Sequence, residues 1–342
     1  MNTKKLINWY KQNARDLPWR HTKDPYKIWL SEIILQQTQV KQGLDYYLKF
    51  IEKYPTIRDF AKADEQEILK LWQGLGYYSR ARNMHFTANI ITKEFKGKFP
   101  DNYKELLKLK GVGEYTAAAI ASFCFNQPVG VVDGNVSRVL SRLYGIELAI
   151  NTTQGKKYFQ NLVNNLVDKN EPDLFNQAMM EYGATLCTPK NPKCEKCIFG
   201  DKCVAFLTGD IDKFPVKINK IKVKKRYLNF LLIQNNDYLI VEKRQKKDIW
   251  KNLYQLPLIE SKKDLKNMTL KQLDNISKKY KIAIKSEVDL LTETKHQLTH
   301  QSLKIKFWKI IIKEKNKHFI PKNELKNYPF PTPIINFLDN YI

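Results

Sequence analysis

Leu109-Lys110-Gly111-Val112-Gly113-Glu114-Tyr115-Thr116-Ala117, followed by Val131-Val132-Asp133-Gly134-Asn135-Val136, decides how the first half of this chain is read. The first stretch closes one helical pattern at Gly111-Val112-Gly113 and opens another with the small, apolar run Thr116 to Ala121. Two glycines so spaced allow a tight turn with positive φ and a close approach of backbone to ligand. Amide N–H groups at the start of the next helix then offer a seat for phosphate. The second stretch is a buried-looking run, Pro128 to Val132, that stops at one carboxylate, Asp133. A helical pattern (Val136, Val139, Leu140, Leu143) follows it. A phosphate-gripping hairpin with an aspartate downstream suits work on a DNA backbone. The same residues also fit plainer roles, an interhelical turn and an N-cap.

Composition narrows the choice. A length of 342 residues fits two domains better than one, and 43% hydrophobic residues suffice for packed cores. No apolar run approaches the roughly 20 residues needed to span a membrane. Met1 to Tyr10 lacks the long apolar core of a secretory signal, so a cytoplasmic protein is expected. The net charge is +24, from 59 Lys and Arg against 35 Asp and Glu. An excess that large favours a polyanionic partner. No basic amphipathic helix with a continuous apolar face stands out, which points to nucleic acid rather than a membrane surface. Gly209 is the last glycine in the chain, and that abrupt shift marks a domain boundary.

Helical patterns cover residues 4–16, 28–35, 55–95 (interrupted by Leu71 to Tyr78), 101–110, 114–125, 135–144, 154–168 and 175–186. No strand pattern precedes residue 210, so the first domain, residues 1–209, is expected to be all-α. Glu32 lies inside the apolar run Ile28 to Leu35. A carboxylate embedded there should have a raised pKa, as a general acid or base needs; the plainer alternative puts it on a wet helix face. The loop Gly74-Leu75-Gly76-Tyr77-Tyr78 precedes Arg80 and Arg82 and could push a side chain into a base stack.

Four of the five cysteines, Cys187, Cys194, Cys197 and Cys203, are separated by six, two and five residues. In a cytoplasmic protein that cluster reads as a metal site rather than disulfides. Four thiolates suit zinc or a [4Fe–4S] cluster. A four-cysteine zinc ribbon normally shows two Cys-x-x-Cys knuckles, and here there is one. Lys190, Lys193, Lys196 and Lys202 are interleaved, which makes the loop cationic.

Residues 210–226 read as a basic linker (Lys213, Lys217, Lys220, Lys222, Lys224, Lys225, Arg226), expected near DNA. Strand patterns follow at 227–234, 237–242 and 303–312, with helices at 270–280 and 334–341, so the second domain, 227–342, is expected to be α+β.

Taken together, the chain resembles the endonuclease III-like helix-hairpin-helix DNA glycosylases, and within them the adenine DNA glycosylase (MutY) family. The pieces that carry the resemblance are Leu17-Pro18-Trp19-Arg20, Ser31 to Val40, Gly74 to Asn83, the hairpin at Gly111-Val112-Gly113, Val132 to Val136, Phe175 to Met180 and the cysteine spacing. They occur in family order across residues 17–203. Trp250 to Pro257 is similar to the Nudix-like C-terminal domain of that family. A working Nudix hydrolase needs a glycine-led box with clustered glutamates for a divalent metal; this half has no glycine, so that activity is excluded. His296-Gln297-Leu298-Thr299-His300 matches the family's 8-oxoguanine-sensing Phe-Ser-His loop, with Leu298 and Thr299 in place of Phe and Ser and His300 kept.

The resemblance implies hydrolysis of the N-glycosidic bond of adenine mispaired with 8-oxoguanine or guanine in duplex DNA. Glu32 would be the acid and Asp133 the stabiliser of the sugar cation, with Tyr115 and Asn135 supporting them. Trp19, Arg20, Leu35 and Gln177 would line the adenine pocket, while Gln37, Leu75 and Tyr77 fill or hold the gap in the stack. Thr38, Gly111, Gly113, Leu298, Thr299 and His300 would contact DNA. The resemblance also implies a [4Fe–4S] cluster on the four cysteines, a monomer, and residence in the bacterial cytosol at the nucleoid. The bifunctional relatives carry a lysine where Tyr115 stands, so a monofunctional enzyme is expected. The competing readings are a glycosylase/lyase on oxidised pyrimidines, a non-catalytic lesion binder and a nucleotide pyrophosphatase.

Overall fold

The computed structural model describes residues 1–218, 223–284, 287–313 and 317–342. Its helices, in chain order, are α1 (Thr3–Asn13), α2 (Pro25–Ile34), α3 (Val40–Lys53), α4 (Ile57–Lys62), α5 (Glu65–Leu71), α6 (Ser79–Glu94), α7 (Tyr103–Leu106), α8 (Glu114–Phe125), α9 (Gly134–Tyr144), α10 (Thr153–Leu166), α11 (Pro172–Thr185), α12 (Val204–Leu207), α13 (Leu270–Tyr280) and α14 (Thr332–Tyr341). The strands are β1 (Lys224–Gln234), β2 (Tyr238–Ile240), β3 (Glu242–Lys243), β4 (Tyr254–Gln255), β5 (Leu258–Ser261), β6 (Asp289–Gln297), β7 (Gln301–Ile311) and β8 (Phe319–Pro321). Two compact units result, one of Met1–Lys62 with Asn83–Asn219, the other of Ala63–Arg82 with Lys220–Ile342.

The first unit is helical among its described residues, in line with the absence of a strand pattern. Its centre is α2, in which every residue except Pro25 and Lys27 is buried. Asp24 caps it by accepting from the Tyr26 amide, and Pro25 supplies a first-turn residue whose missing N–H costs nothing. The alanine run of α8 (Ala117, Ala118, Ala119, Ala121) lets that helix lie close on α2 and α11. Residues 40–53, to which the pattern reading assigns nothing, form α3; Tyr47 and Phe50 point inward, and a Cβ on Gly43 would come within 2.7 Å of Leu35. A second apolar centre joins α1, α9, α10 and α11 through Leu6, Val139, Phe159, Phe175 and Tyr182.

In the second unit a sheet runs β6-β7-β1-β2-β8, and β5 also pairs with β1. β1 and β7 are parallel, from Lys224 opposite Gln301 to Gln234 opposite Ile311. β1 is buried on both faces, and its side chains alternate between two cores as the pleat requires. Leu228, Phe230 and Leu232 meet Phe307 and α14 on one side. Leu231 and Ile233 meet Trp308 and α13 on the other. β6, unmarked in the sequence reading, pairs antiparallel with β7, and exposed positions dominate its burial pattern. Such an edge strand carries little hydrophobic signal to read.

Residues 63–82, read as part of the first domain, make their contacts within the second unit: Lys70 Nζ donates to the Tyr328 carbonyl at 3.2 Å, Arg82 to that of Lys251 at 2.8 Å, and Asn252 to Glu65 at 2.6 Å. Two expectations are corrected. The linker is shorter than 210–226, since Lys224, Lys225 and Arg226 begin β1. Arg226 is buried between Glu260 and Asp248 at 2.8 and 2.7 Å, so it is not a free cation for DNA, whereas Lys213 stays on the surface, paired with Glu147. Lys220 and Lys222 lie outside the described residues.

Candidate active site

The hairpin comes first, because it sets where α8 begins. Gly111 has φ +80°, and a Cβ there would strike Asn83 of α6 at 2.7 Å. Gly113 departs from expectation: it caps α8 with φ −90°, and an added Cβ would meet nothing within 4 Å. Only the first glycine is demanded by conformation. The second leaves the start of α8 open.

From that start, Tyr115 reaches back to α2, where its hydroxyl donates to Glu32 Oε2 at 2.6 Å. Glu32 is 6% exposed, on a helix without a wet face at that position. Burial pushes its carboxyl up to about 7, partly opposed by the Tyr115 hydrogen bond, reinforced by Asp133 and opposed again by Arg20. At neutral pH much of it is therefore protonated.

Asp133 takes the capping part that its position suggested. It is the N-cap of α9, accepting from the Val136 amide at 2.7 Å, and its other oxygen accepts from Asn135 Nδ2 at 2.7 Å. Burial raises its pKa, but these donors and Arg138 restrain the rise. Asn135 is itself held by Arg138, which donates to its side-chain oxygen at 2.9 Å and to the Gly183 carbonyl at 2.6 Å.

Both carboxylates open into one cavity of about 710 Å³, within the roughly 300–1,000 Å³ of small-molecule pockets. Tyr115, Asn135, Trp19, Arg20, Leu35, Thr38 and Gln177 line it too. Nine of the residues singled out from sequence thus converge, from five separate stretches of chain. Gln37 follows the end of α2, exposed and in the left-handed region at φ +59°. Leu75 and Tyr77 belong to the second unit; Leu75 is buried there, while Tyr77 is half exposed at φ +46°. The Tyr77 hydroxyl meets Thr299 Oγ1. Leu298, Thr299 and His300 form the tip of the β6–β7 hairpin, with Thr299 and His300 exposed.

Sequence reasoning missed Glu181 and Gly183 of α11. Glu181 is 1% exposed and accepts from Arg15 Nε at 2.7 Å and from Arg20 Nη2 at 2.5 Å. A Cβ on Gly183 would stand 2.6 Å from Asn135 Cβ and 2.9 Å from its carbonyl oxygen. Neither carries a signal in a single sequence, since each looks like any helical Glu or Gly until its neighbour across the fold is known.

Residues 30–165 match the HhH-GPD superfamily of base excision DNA repair proteins, and residues 229–340 match the NUDIX domain. The chain is 39% identical over 316 residues to the adenine DNA glycosylase of Buchnera aphidicola subsp. Baizongia pistaciae, covering 90% of this chain and 86% of that one. This chain belongs to the adenine DNA glycosylases. The Mus musculus adenine DNA glycosylase is 44% identical over 210 residues, 59% of this chain and 41% of the relative. Among solved structures, a thermostable thymine-DNA glycosylase superposes with a TM-score of 0.56 at 33% identity, covering 60% of this chain and 95% of that one. A non-covalent endonuclease III–DNA complex superposes at 0.52 with 21% identity, over 61% of this chain and 98% of the other, and speaks for the fold alone. As an adenine DNA glycosylase this protein is a DNA-binding base excision repair enzyme that acts on adenine.

In this adenine DNA glycosylase the cysteines lie beyond the end of α11. Cys187, Cys194, Cys197 and Cys203 line one small enclosure with Arg142, Leu186 and Phe206. The Tyr182 hydroxyl donates to Cys197 Sγ at 3.0 Å, and Arg142 Nη1 stands 3.5 Å from Cys187 Sγ. Burial, reinforced by the charge of the other sulfurs, raises the Cys194 and Cys203 thiols. Four such sulfurs ionise together only around a cationic group, and among the described residues no group of three or more His, Cys, Asp or Glu is gathered closely enough to hold a metal ion. Lys190, Lys193, Lys196 and Lys202 are all exposed on the loop.

Proposed function

We propose that this adenine DNA glycosylase excises adenine opposite 8-oxoguanine or guanine, that it is monofunctional, and that Glu32 and Asp133 carry the reaction. The observation behind this reading is the joint opening of a buried, protonated Glu32 and a restrained Asp133 into one cavity. Two carboxyl groups in different environments divide into an acid and a cation stabiliser.

The adenine must first leave the stack, at a cost of a few kcal/mol. Trp19, Leu35 and Gln177 would face it in the cavity. Glu32 gives its proton to a ring nitrogen of adenine, which turns a poor leaving group into a good one. The bond from C1′ to the base then breaks, its electron pair goes to the departing adenine, and C1′ becomes oxocarbenium-like. Asp133, held by Val136 and Asn135, faces that positive charge. Water adds at C1′ and loses its proton to a carboxylate. Tyr115 has no amine to form a Schiff base, so the sugar is left abasic and the strand intact.

Preference for 8-oxoguanine is read from the β6–β7 hairpin tip, where Leu298, Thr299 and His300 stand together and Thr299 bonds to Tyr77. Cys187, Cys194, Cys197 and Cys203 would hold a [4Fe–4S] cluster that orders the lysine loop and stays outside the chemistry. A monomer in the bacterial cytosol completes the proposal.

The test is single-turnover release of adenine from duplexes with 8-oxoguanine, guanine or thymine opposite, for wild type and Glu32→Gln. Fast release opposite the two guanines, lost in the variant and without strand cleavage, is expected. Release that survives in Glu32→Gln removes Glu32 as the acid; tight binding without release from any duplex leaves a lesion binder.

A further inference from the structure

The cavity that Glu32 and Tyr115 line also holds an ion-pair group that the reaction above does not use. Glu181 projects from α11 with its side chain fully shielded from solvent. Both of its oxygens are taken: Oε1 accepts from the Arg15 amide and Nε at 3.2 and 2.7 Å, and Oε2 accepts from Arg15 Nη2 and Arg20 Nη2 at 2.8 and 2.5 Å. The other arm of Arg20 donates to the Arg15 carbonyl at 2.7 Å. Its guanidinium also lies 5.4 Å from the centre of the Tyr10 ring. Arg20 is thereby fixed at three points while it faces the cavity.

We propose that Glu181 is the positioning and charge-balancing residue of this active site: it holds Arg20 against the cavity wall and cancels the guanidinium charge beside Glu32. The proposal rests on Glu32 as the acid. A cation in a low-dielectric pocket draws a nearby carboxyl toward its anion, and an anion beside the cation restores the proton. The Glu181 carboxyl lies below its ordinary range even though burial raises it, because the hydrogen bonds and charges of Arg15 and Arg20 outweigh burial. It therefore stays an anion across the working pH, which charge balancing requires.

The other charged groups do not perform this role. Glu32 is faced by Tyr115 and Cys124 of α8, by Asp133 before α9 and by Arg20. Glu181 is faced by Arg15, Arg20 and Tyr10. At the rim, His21 pairs with Asp16, Lys23 with Asp173, and Lys11 with Glu171.

The experiment is the pH dependence of single-turnover adenine release on a saturating adenine:guanine duplex, for wild type, Glu181→Gln, Arg15→Gln and Glu32→Gln. In wild type the rate falls above a breakpoint set by Glu32. In Glu181→Gln that breakpoint should move down by about one pH unit, leaving release about tenfold slower on the alkaline side. In Arg15→Gln, a partly exposed site that should fold even if Glu181→Gln does not, it should move up. An unchanged breakpoint in both variants, or in Arg15→Gln when the other fails to fold, overturns the proposal, even if the rates fall uniformly. Undiminished release in Glu32→Gln would instead sink the acid assignment itself.

Discussion

At the scale of the residue, the cost of a buried acid is the central fact. The Glu32 carboxyl is pushed up to about 7 by burial, above its ordinary 4.5. The folded protein thus binds that proton more tightly than the unfolded chain. The resulting stability is fully present below about pH 4.5 and is lost as the pH rises through about 7. Glu32→Gln, which keeps an oxygen for the Tyr115 hydroxyl, should therefore stabilise the protein by about 3 kcal/mol at pH 8 and hardly at all near pH 4.5. Denaturant unfolding at the two pH values checks this; an equal effect at both would show that Glu32 is not titrating in the folded state. Sequence made Glu32 a candidate because a carboxylate stood in an apolar run. Its shielding came from α8, more than 80 positions downstream, as the Tyr115 contact shows.

At the scale of the element, the site depends on how closely α11 lies on the start of α9. Gly183 makes that approach possible, and the atoms its Cβ would strike include the Asn135 backbone, which has no flexible end to swing away. Gly183→Ala should cost about 1–3 kcal/mol of stability and slow adenine release, because Asn135 and the Asp133 cap would be displaced together. Gly134→Ala is the comparison: an added Cβ there meets nothing within 4 Å, so stability should change by less than about 0.5 kcal/mol. Thermal unfolding of the two variants side by side decides it. Helix boundaries were readable from caps and periodicity, as at α8 and α13. β6 and α3 were not, the one because its side chains face water and the other because its signal is a sparse apolar stripe.

At the scale of the whole molecule, the charge of +24 acts on DNA as a field rather than as individual contacts. Affinity for duplex DNA should fall by about 10³-fold or more between 50 and 200 mM salt if about six or more phosphates are neutralised. Single-turnover release on saturating DNA should change far less, since the buried carboxyl groups are screened little. Binding isotherms and release rates over one salt series test both; a flat binding isotherm would mean that the excess charge serves solubility alone. Not every basic residue contributes, because Arg226, Arg138 and Arg142 are consumed by internal partners.

Sequence alone determined the all-α first half, the α+β second half, the hairpin and the four-cysteine loop, while the family resemblance pointed to most of the nine singled-out residues that line the cavity. Those features rest on local periodicity, on glycine and cysteine chemistry, and on motifs whose residues lie a few positions apart. Tertiary structure alone decided that residues 63–82 pack with the second unit, that Gly113 needs no special backbone conformation, and that Arg226 faces inward. It alone showed that Glu181 sits against Arg20. Each of these is a pairing between groups distant in sequence, and the free energy of a buried charge or a close helix contact is set by that partner rather than by the residue's own neighbours.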